Sequence, residues 1–182
     1  VDQMDQYPYL RDEAQWIEQC LGKDIPTLGL CLGSQLLAHV LGAPVEPHDD
    51  GAQEFGLYEI KATDDERQFV PDNFFAVQFH SRGFEVPEGA ELLAAGDIFP
   101  NQAFRYGDNV LGTQFHPECT LDILRRWQAL DVAPWQAPGV QAREEQDRLA
   151  ASHLKNVELW FEKLTGKTST KSGLQTRLHQ WE

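Results

Sequence analysis

The chain has 182 residues, 41% of them hydrophobic, with three cysteines and a formal net charge of −14. That length expects a single soluble domain with a proper core, and no apolar run approaches the roughly 20 residues a bilayer demands. Scattered acids argue against nucleic acid and anionic membrane as partners, no signal-peptide pattern is visible, and three cysteines without a paired framework point to a reducing compartment, the cytoplasm.

The first element is an amphipathic helix over Tyr9 to Leu21, with Leu10, Ala14, Ile17 and Leu21 at helical spacing. Gly22-Lys23-Asp24 leads into a short apolar strand over Ile25 to Leu28, and Ser34 to Leu41 reads as a helix stopped by Gly42. This helix-then-strand rhythm predicts an α/β fold. Beyond Gly42 the pattern changes to short strands over Glu54 to Ala62, Phe74 to His80, Glu91 to Ala95, Asn101 to Tyr106 and Val110 to Phe115. Gly107-Asp108-Asn109 forms the hairpin turn between the last two. Thr120 caps a helix to Leu130 with Asp122 in its first turn; Pro134 and Pro138 mark the loop from Asp131 to Gly139. A long helix from Val140 to Leu164 carries Leu149, His153, Val157, Trp160, Phe161 and Leu164 on its inner stripe. Thr165 to Glu182 reads as a tail that is partly mobile or docks through Leu174, Leu178 and Trp181. Gly166-Lys167-Thr168 is no phosphate-binding loop, since Phe161 stands where that motif needs glycine and a helix precedes it. His48-Asp49-Asp50 lacks metal-ligand spacing and reads as a solvated loop; no metal or cofactor is expected.

Chemistry concentrates at Gly29-Leu30-Cys31-Leu32-Gly33-Ser34-Gln35. A Gly-x-Cys-x-Gly between strand and helix matches a nucleophile elbow, in which the flanking glycines permit a sharp turn that exposes the central side chain. The helix that follows aims its positive end at the sulfur and favours thiolate. Cys20 and Cys119 lack this setting and read as structural thiols. His116-Pro117-Glu118 follows the last strand, and residues two apart in extended chain face one side. Pro117 disfavours helix at His116 and cannot extend a sheet ladder. A histidine there could deprotonate Cys31 while Glu118 orients the imidazole. The backbone amide of Leu32, beside the nucleophile, would help hold the oxyanion formed on attack.

The Cys31 block and Gly112-Thr113-Gln114-Phe115-His116-Pro117-Glu118 resemble the two signature blocks of class I (triad) glutamine amidotransferases, closest to the GMP-synthase-like domain; Asn101 to Gly107 is similar to the same subgroup. The resemblance runs from Val1 to about Leu130. It implies a three-layer flavodoxin-like α/β fold, with a mostly parallel central sheet, helices on both faces and a short antiparallel portion. It also implies that Cys31 attacks the side-chain amide of glutamine, giving a glutamyl thioester and ammonia, with His116 as base and then acid and Glu118 as the third member. Gln35 would help hold the substrate, and Leu32, Gly33, Gln35 and His80 form the expected oxyanion and substrate-binding set. In the family a Gly-Gly-Pro type loop supplies a second oxyanion donor ahead of the first helix. The present sequence enters after that loop, so the expected layout is an N-terminally incomplete domain over residues 1–164 and a tail over 165–182.

Two stretches depart from the family pattern. Phe79-His80-Ser81-Arg82-Gly83-Phe84 replaces a Trp-His-Gly-Asp-like run, and Leu57 follows Gly56 where tryptophan is usual. His80 reads equally as a strand-end histidine or a pocket residue. Nothing in the chain could activate an acceptor, so the ammonia would serve a synthetase subunit elsewhere. A γ-glutamyl hydrolase with the same triad, or a non-catalytic amidotransferase-like binding or regulatory module, stands as the alternative.

Overall fold

The computed structural model describes residues 7–64 and 68–166. Helix α1 spans Tyr9–Gly22 and buries Leu10, Ala14, Ile17 and Cys20, the face that helical spacing predicts. Strand β1 (Thr27–Leu30) leads through Cys31 into α2 (Leu32–Val40), which ends before Gly42 at φ 88°. Then come β2 (Val45–Pro47), β3 (Glu54–Ala62), β4 (Phe74–His80), β5 (Arg82–Phe84), β6 (Ala90–Ala95), β7 (Asn101–Tyr106) and β8 (Val110–Thr113). Two helices follow: α3 (Leu121–Gln128), capped by the Thr120 hydroxyl accepting from the Ile123 amide at 3.3 Å, and α4 (Arg143–Thr165).

Six strands form one sheet in the order β1-β8-β7-β6-β3-β4, while β2 and β5 pair as a separate antiparallel ribbon. Only β1 and β8 run parallel; β8-β7, β7-β6, β6-β3 and β3-β4 are antiparallel. The α/β class holds, but the described sheet is mixed where a mostly parallel one is expected. The cause lies in the connections. The short links β6–β7 and β7–β8 can join only antiparallel neighbours, whereas β1 reaches β8 through a long excursion that begins with α2. The sheet also curls: Val77 of β4 bridges to His116, just past β8, with the His116 amide donating to the Val77 carbonyl at 2.8 Å.

Helices cover the sheet in two groups. Leu10 and Ile17 of α1 and Leu36, Leu37 and Ala38 of α2 pack with Phe104 of β7 and Val110 of β8. The neighbouring β7 residue, Ala103, belongs instead to a cluster with Val157 of α4, Phe74 and Phe115, so the two groups lie on opposite faces. A third cluster joins Leu124 of α3 and Leu149 and Ala150 of α4 to Leu57 and Val77. Helix α4 reaches Thr165 and closes on Gly166 at φ 73°, one residue beyond the helix end expected at Leu164. The expected tail residues from 167 onward lie outside the described residues.

Candidate active site

Parallel pairing of β1 with β8 sets Leu30 against Thr113, so both chains leave the sheet at one rim. Cys31 comes next on one side and His116 three residues later on the other. The Cys31 amide donates to the Thr113 carbonyl at 2.8 Å; its own carbonyl accepts from the Ser34 hydroxyl at 2.7 Å and the Gln35 amide at 3.0 Å. Held at both ends, Cys31 sits at φ 47°, ψ −105°, a conformation that L-residues avoid. Gly29 makes the turn sterically feasible: a Cβ there would lie 2.7 Å from the backbone C and O of Gly33. Gly33 itself has open space around its Cα.

His116 Nδ1 meets Glu118 Oε1 at 2.7 Å, leaving the other ring nitrogen available to the neighbouring Cys31. The imidazole is mostly buried and rests edge-on against Trp127, ring centres 4.9 Å apart. Burial alone pulls its pKa down. Hydrogen bonds to Cys31 and Glu118, with attraction to their negative charges, outweigh that and lift it from 6.5 to about 9. An imidazolium beside the sulfur is the state that sustains a thiolate. Cys119, only one residue from Glu118, shows the opposite setting: burial and the Glu118 charge push its thiol up to about 12, outweighing a backbone hydrogen bond from Leu124. It is an inert thiol, and Cys20 is likewise buried.

The residues expected to bind substrate divide into two groups. Leu32 and Gly33 open α2 beside the sulfur, where first-turn amides have no intrahelical acceptor, and Leu32 is exposed. Gln35 and His80 are buried behind them. Gln35 Nε2 donates to the Arg82 carbonyl at 2.8 Å and to Gln114 Oε1 at 3.2 Å. His80 places Nδ1 2.9 Å from the same Arg82 carbonyl and Nε2 2.9 Å from Glu54 Oε2 and 3.1 Å from Gln78 Oε1. Both of its nitrogens are engaged in the interior, and its hydrogen bonds lead to Cys31 only through the Arg82 carbonyl, Gln35 and Gln114. Gln114, which sequence reasoning missed, is fully buried and donates Nε2 to Cys31 Sγ at 3.7 Å. Its signal was the two-residue spacing that joins His116 to Glu118; Gln114 stands two residues before His116.

The family model for class I glutamine amidotransferases matches residues 5–125. The chain belongs to that family. One subunit of the glutamine-hydrolysing GMP synthase of Methanocaldococcus jannaschii is 34% identical over 115 residues, 61% of this chain and 60% of that one. The corresponding subunit of Methanopyrus kandleri is 35% identical over 123 residues, 63% of this chain and 65% of that one. The chain thus spans less than two thirds of these class I relatives, and only 19% of the glutamine-hydrolysing GMP synthase of Cytophaga hutchinsonii. A crystal structure of a glutamine amidotransferase from Thermotoga maritima, 32% identical, superposes with a TM-score of 0.65 over 90% of this chain and 67% of that one. One from Methylobacillus flagellatus matches at 0.76 over 85% of this chain and 66% of that one; at 23% identity it supports the amidotransferase fold alone.

Proposed function

We propose that this chain hydrolyses the side-chain amide of glutamine. The Cys31 thiolate adds to the amide carbon, and the oxyanion is held by the Leu32 amide with Gly33 beside it. His116 then gives its proton to the departing nitrogen, the C–N bond breaks, and ammonia leaves a glutamyl thioester. Water deprotonated by the same imidazole breaks the C–S bond, giving glutamate and restoring the pair. Glu118 keeps the imidazole in register and stabilises its charged form. Gln35 and His80 support the wall of the glutamine pocket from behind. The single observation that carries this reading is the convergence of Cys31 with the hydrogen-bonded His116–Glu118 pair at the rim shared by β1 and β8.

The two archaeal relatives are themselves separate subunits of a GMP synthase, which supports an ammonia-consuming synthetase on another chain as the partner. Among the described residues no helix is long and apolar enough to cross a membrane. All three thiols are free, which supports a reducing compartment, the cytoplasm, as the site of action. In a glutaminase assay, Cys31→Ala should lose ammonia release while keeping the melting behaviour of the parent, since one sulfur atom leaves only a small void. Ammonia release from the variant equal to that of the parent would remove Cys31 from the mechanism. Turnover of other γ-glutamyl amides in preference to glutamine would redirect the reading to a γ-glutamyl hydrolase.

A further inference from the structure

Behind the triad runs a line of buried polar contacts whose polarity is fixed from one end. The Arg82 carbonyl can only accept, so the Gln35 side chain must turn its NH2 toward it, at 2.8 Å. The same NH2 also faces the Gln114 side chain, which must therefore present its oxygen, at 3.2 Å. An amide with its oxygen taken on one side has its nitrogen on the other, and there Gln114 Nε2 points at Cys31 Sγ, 3.7 Å away. The anchor is equally constrained. Arg82 belongs to β5, held by antiparallel pairing to β2, and its carbonyl takes a second contact from His80 Nδ1, whose ring is fixed by Glu54. A flipped Gln114 amide would set two NH2 groups face to face at one end and an oxygen against the sulfur at the other, each contact repulsive.

We infer that Gln114 is a catalytic residue: its side-chain NH2 is a dedicated hydrogen-bond donor to the Cys31 thiolate, aimed by the Arg82–Gln35 relay. This rests on the reading of Cys31 as nucleophile. The sulfur then has two donors of different kinds. His116 supplies a charged proton that departs during the reaction; Gln114 supplies a neutral one that cannot leave. A neutral donor favours thiolate over thiol without competing for the proton that the leaving ammonia needs. It also helps fix the sulfur on the elbow, where Cys31 sits at φ 47°. The titratable groups at the sulfur are His116, from the turn after β8, and Glu118 behind it.

The test reads the sulfur directly and needs no substrate. Cys31 alkylation by iodoacetamide is followed against pH by peptide mass spectrometry, which separates it from Cys20 and Cys119. Two replacements of similar shape are compared, Gln114→Met without a donor and Gln114→Glu with a negative charge in its place. The midpoint of alkylation should move up by about one pH unit in Gln114→Met, the lower end for a hydrogen bond to a charged acceptor, and further in Gln114→Glu. In turnover, kcat/KM should fall about tenfold at neutral pH through kcat, with KM near that of the parent. A merely structural glutamine would leave the folded Gln114→Met variant at the parent's midpoint, and that result overturns the proposal; Gln114→Glu only calibrates how far a charge at this position moves it. Should either variant fail to fold, the unsubstituted protein decides: the side-chain amide resonance of Gln114 should shift as Cys31 ionises and again when it is alkylated, and a resonance that ignores both overturns the proposal. Loss of activity in Cys31→Ala beside an unmoved Gln114 midpoint would leave the glutaminase reading intact and sink only the present inference.

Discussion

A histidine with Nδ1 tied to a carboxylate can exchange protons only through its other nitrogen, and in His116 that nitrogen meets the sulfur. Its pKa of about 9 makes the imidazolium the resident form at neutral pH, and for the proposed glutaminase reaction the expected alkaline limb lies near pH 9, where that proton is lost. Because the folded value exceeds the ordinary 6.5, the stabilisation this group contributes is fully present below pH 6.5 and fades as pH rises through about 9. Glu118→Gln removes a hydrogen bond and a charge that both raise the value. The expected outcome is an alkaline limb displaced to lower pH and a rate loss of roughly 10- to 100-fold, measured as ammonia release against pH. Melting curves for the same variant should lose their alkaline stability at lower pH than the parent. The three residues of the proposed triad stand out in the sequence because each sits beside a backbone feature that sequence displays: glycines around Cys31, and proline between His116 and Glu118. Gln114 displays no such feature. Its two-residue spacing from His116 gives only the side it faces; its partners lie 79 and 83 positions away, which local spacing does not encode.

At the scale of the elements, the two glycines of the elbow are not equivalent. Gly29 lies on β1 under the first turn of α2, and any Cβ would press on the Gly33 backbone and on Leu37. Gly29→Ala should therefore push α2 away from the sheet, costing about 1–3 kcal/mol of stability and displacing the sulfur from His116, so that activity falls further than stability alone explains. Gly33→Ala adds its methyl to open space and should fold with nearly the parent's denaturation midpoint. Denaturant titration of both variants, paired with ammonia assays, checks the asymmetry. Strands β3, β4 and β7 begin and end where alternation and turn residues predict, and β6 starts one residue earlier. The ribbon β2-β5 escaped because three residues per strand, one of them Pro47, give no alternation to read. Helix α2 starts at Leu32 rather than Ser34, because Cys31 itself occupies the cap position.

For the molecule as a whole, the curl of the sheet decides what the interior can hold. Bringing β4 round to His116 encloses polar side chains as well as apolar ones: Glu54, Gln78, His80, Gln102 and Gln114 are all buried. Their groups satisfy one another, with Gln78 Nε2 donating to Gln102 Oε1 at 2.6 Å and Gln102 Nε2 donating to Glu54 Oε2 at 3.2 Å. Such a network is stable only while complete. His80→Leu removes the closest partner of a carboxylate that is 1% exposed, and should cost about 3–5 kcal/mol in denaturant unfolding. The general class of this architecture was visible in the order of helices and strands. Its strand directions were not, because direction follows from which strands neighbour one another in space, and the long excursion between β1 and β8 hides that pairing from local pattern. The edge-on contact of Trp127 with His116 has an optical consequence. An excited indole surrenders an electron to an adjacent cation far more readily than to a neutral ring, so the emission of Trp127 dims and brightens with the charge on its neighbour. Emission followed against pH, with Trp127→Phe used to subtract the other four tryptophans, should therefore report the charge on His116 without any label.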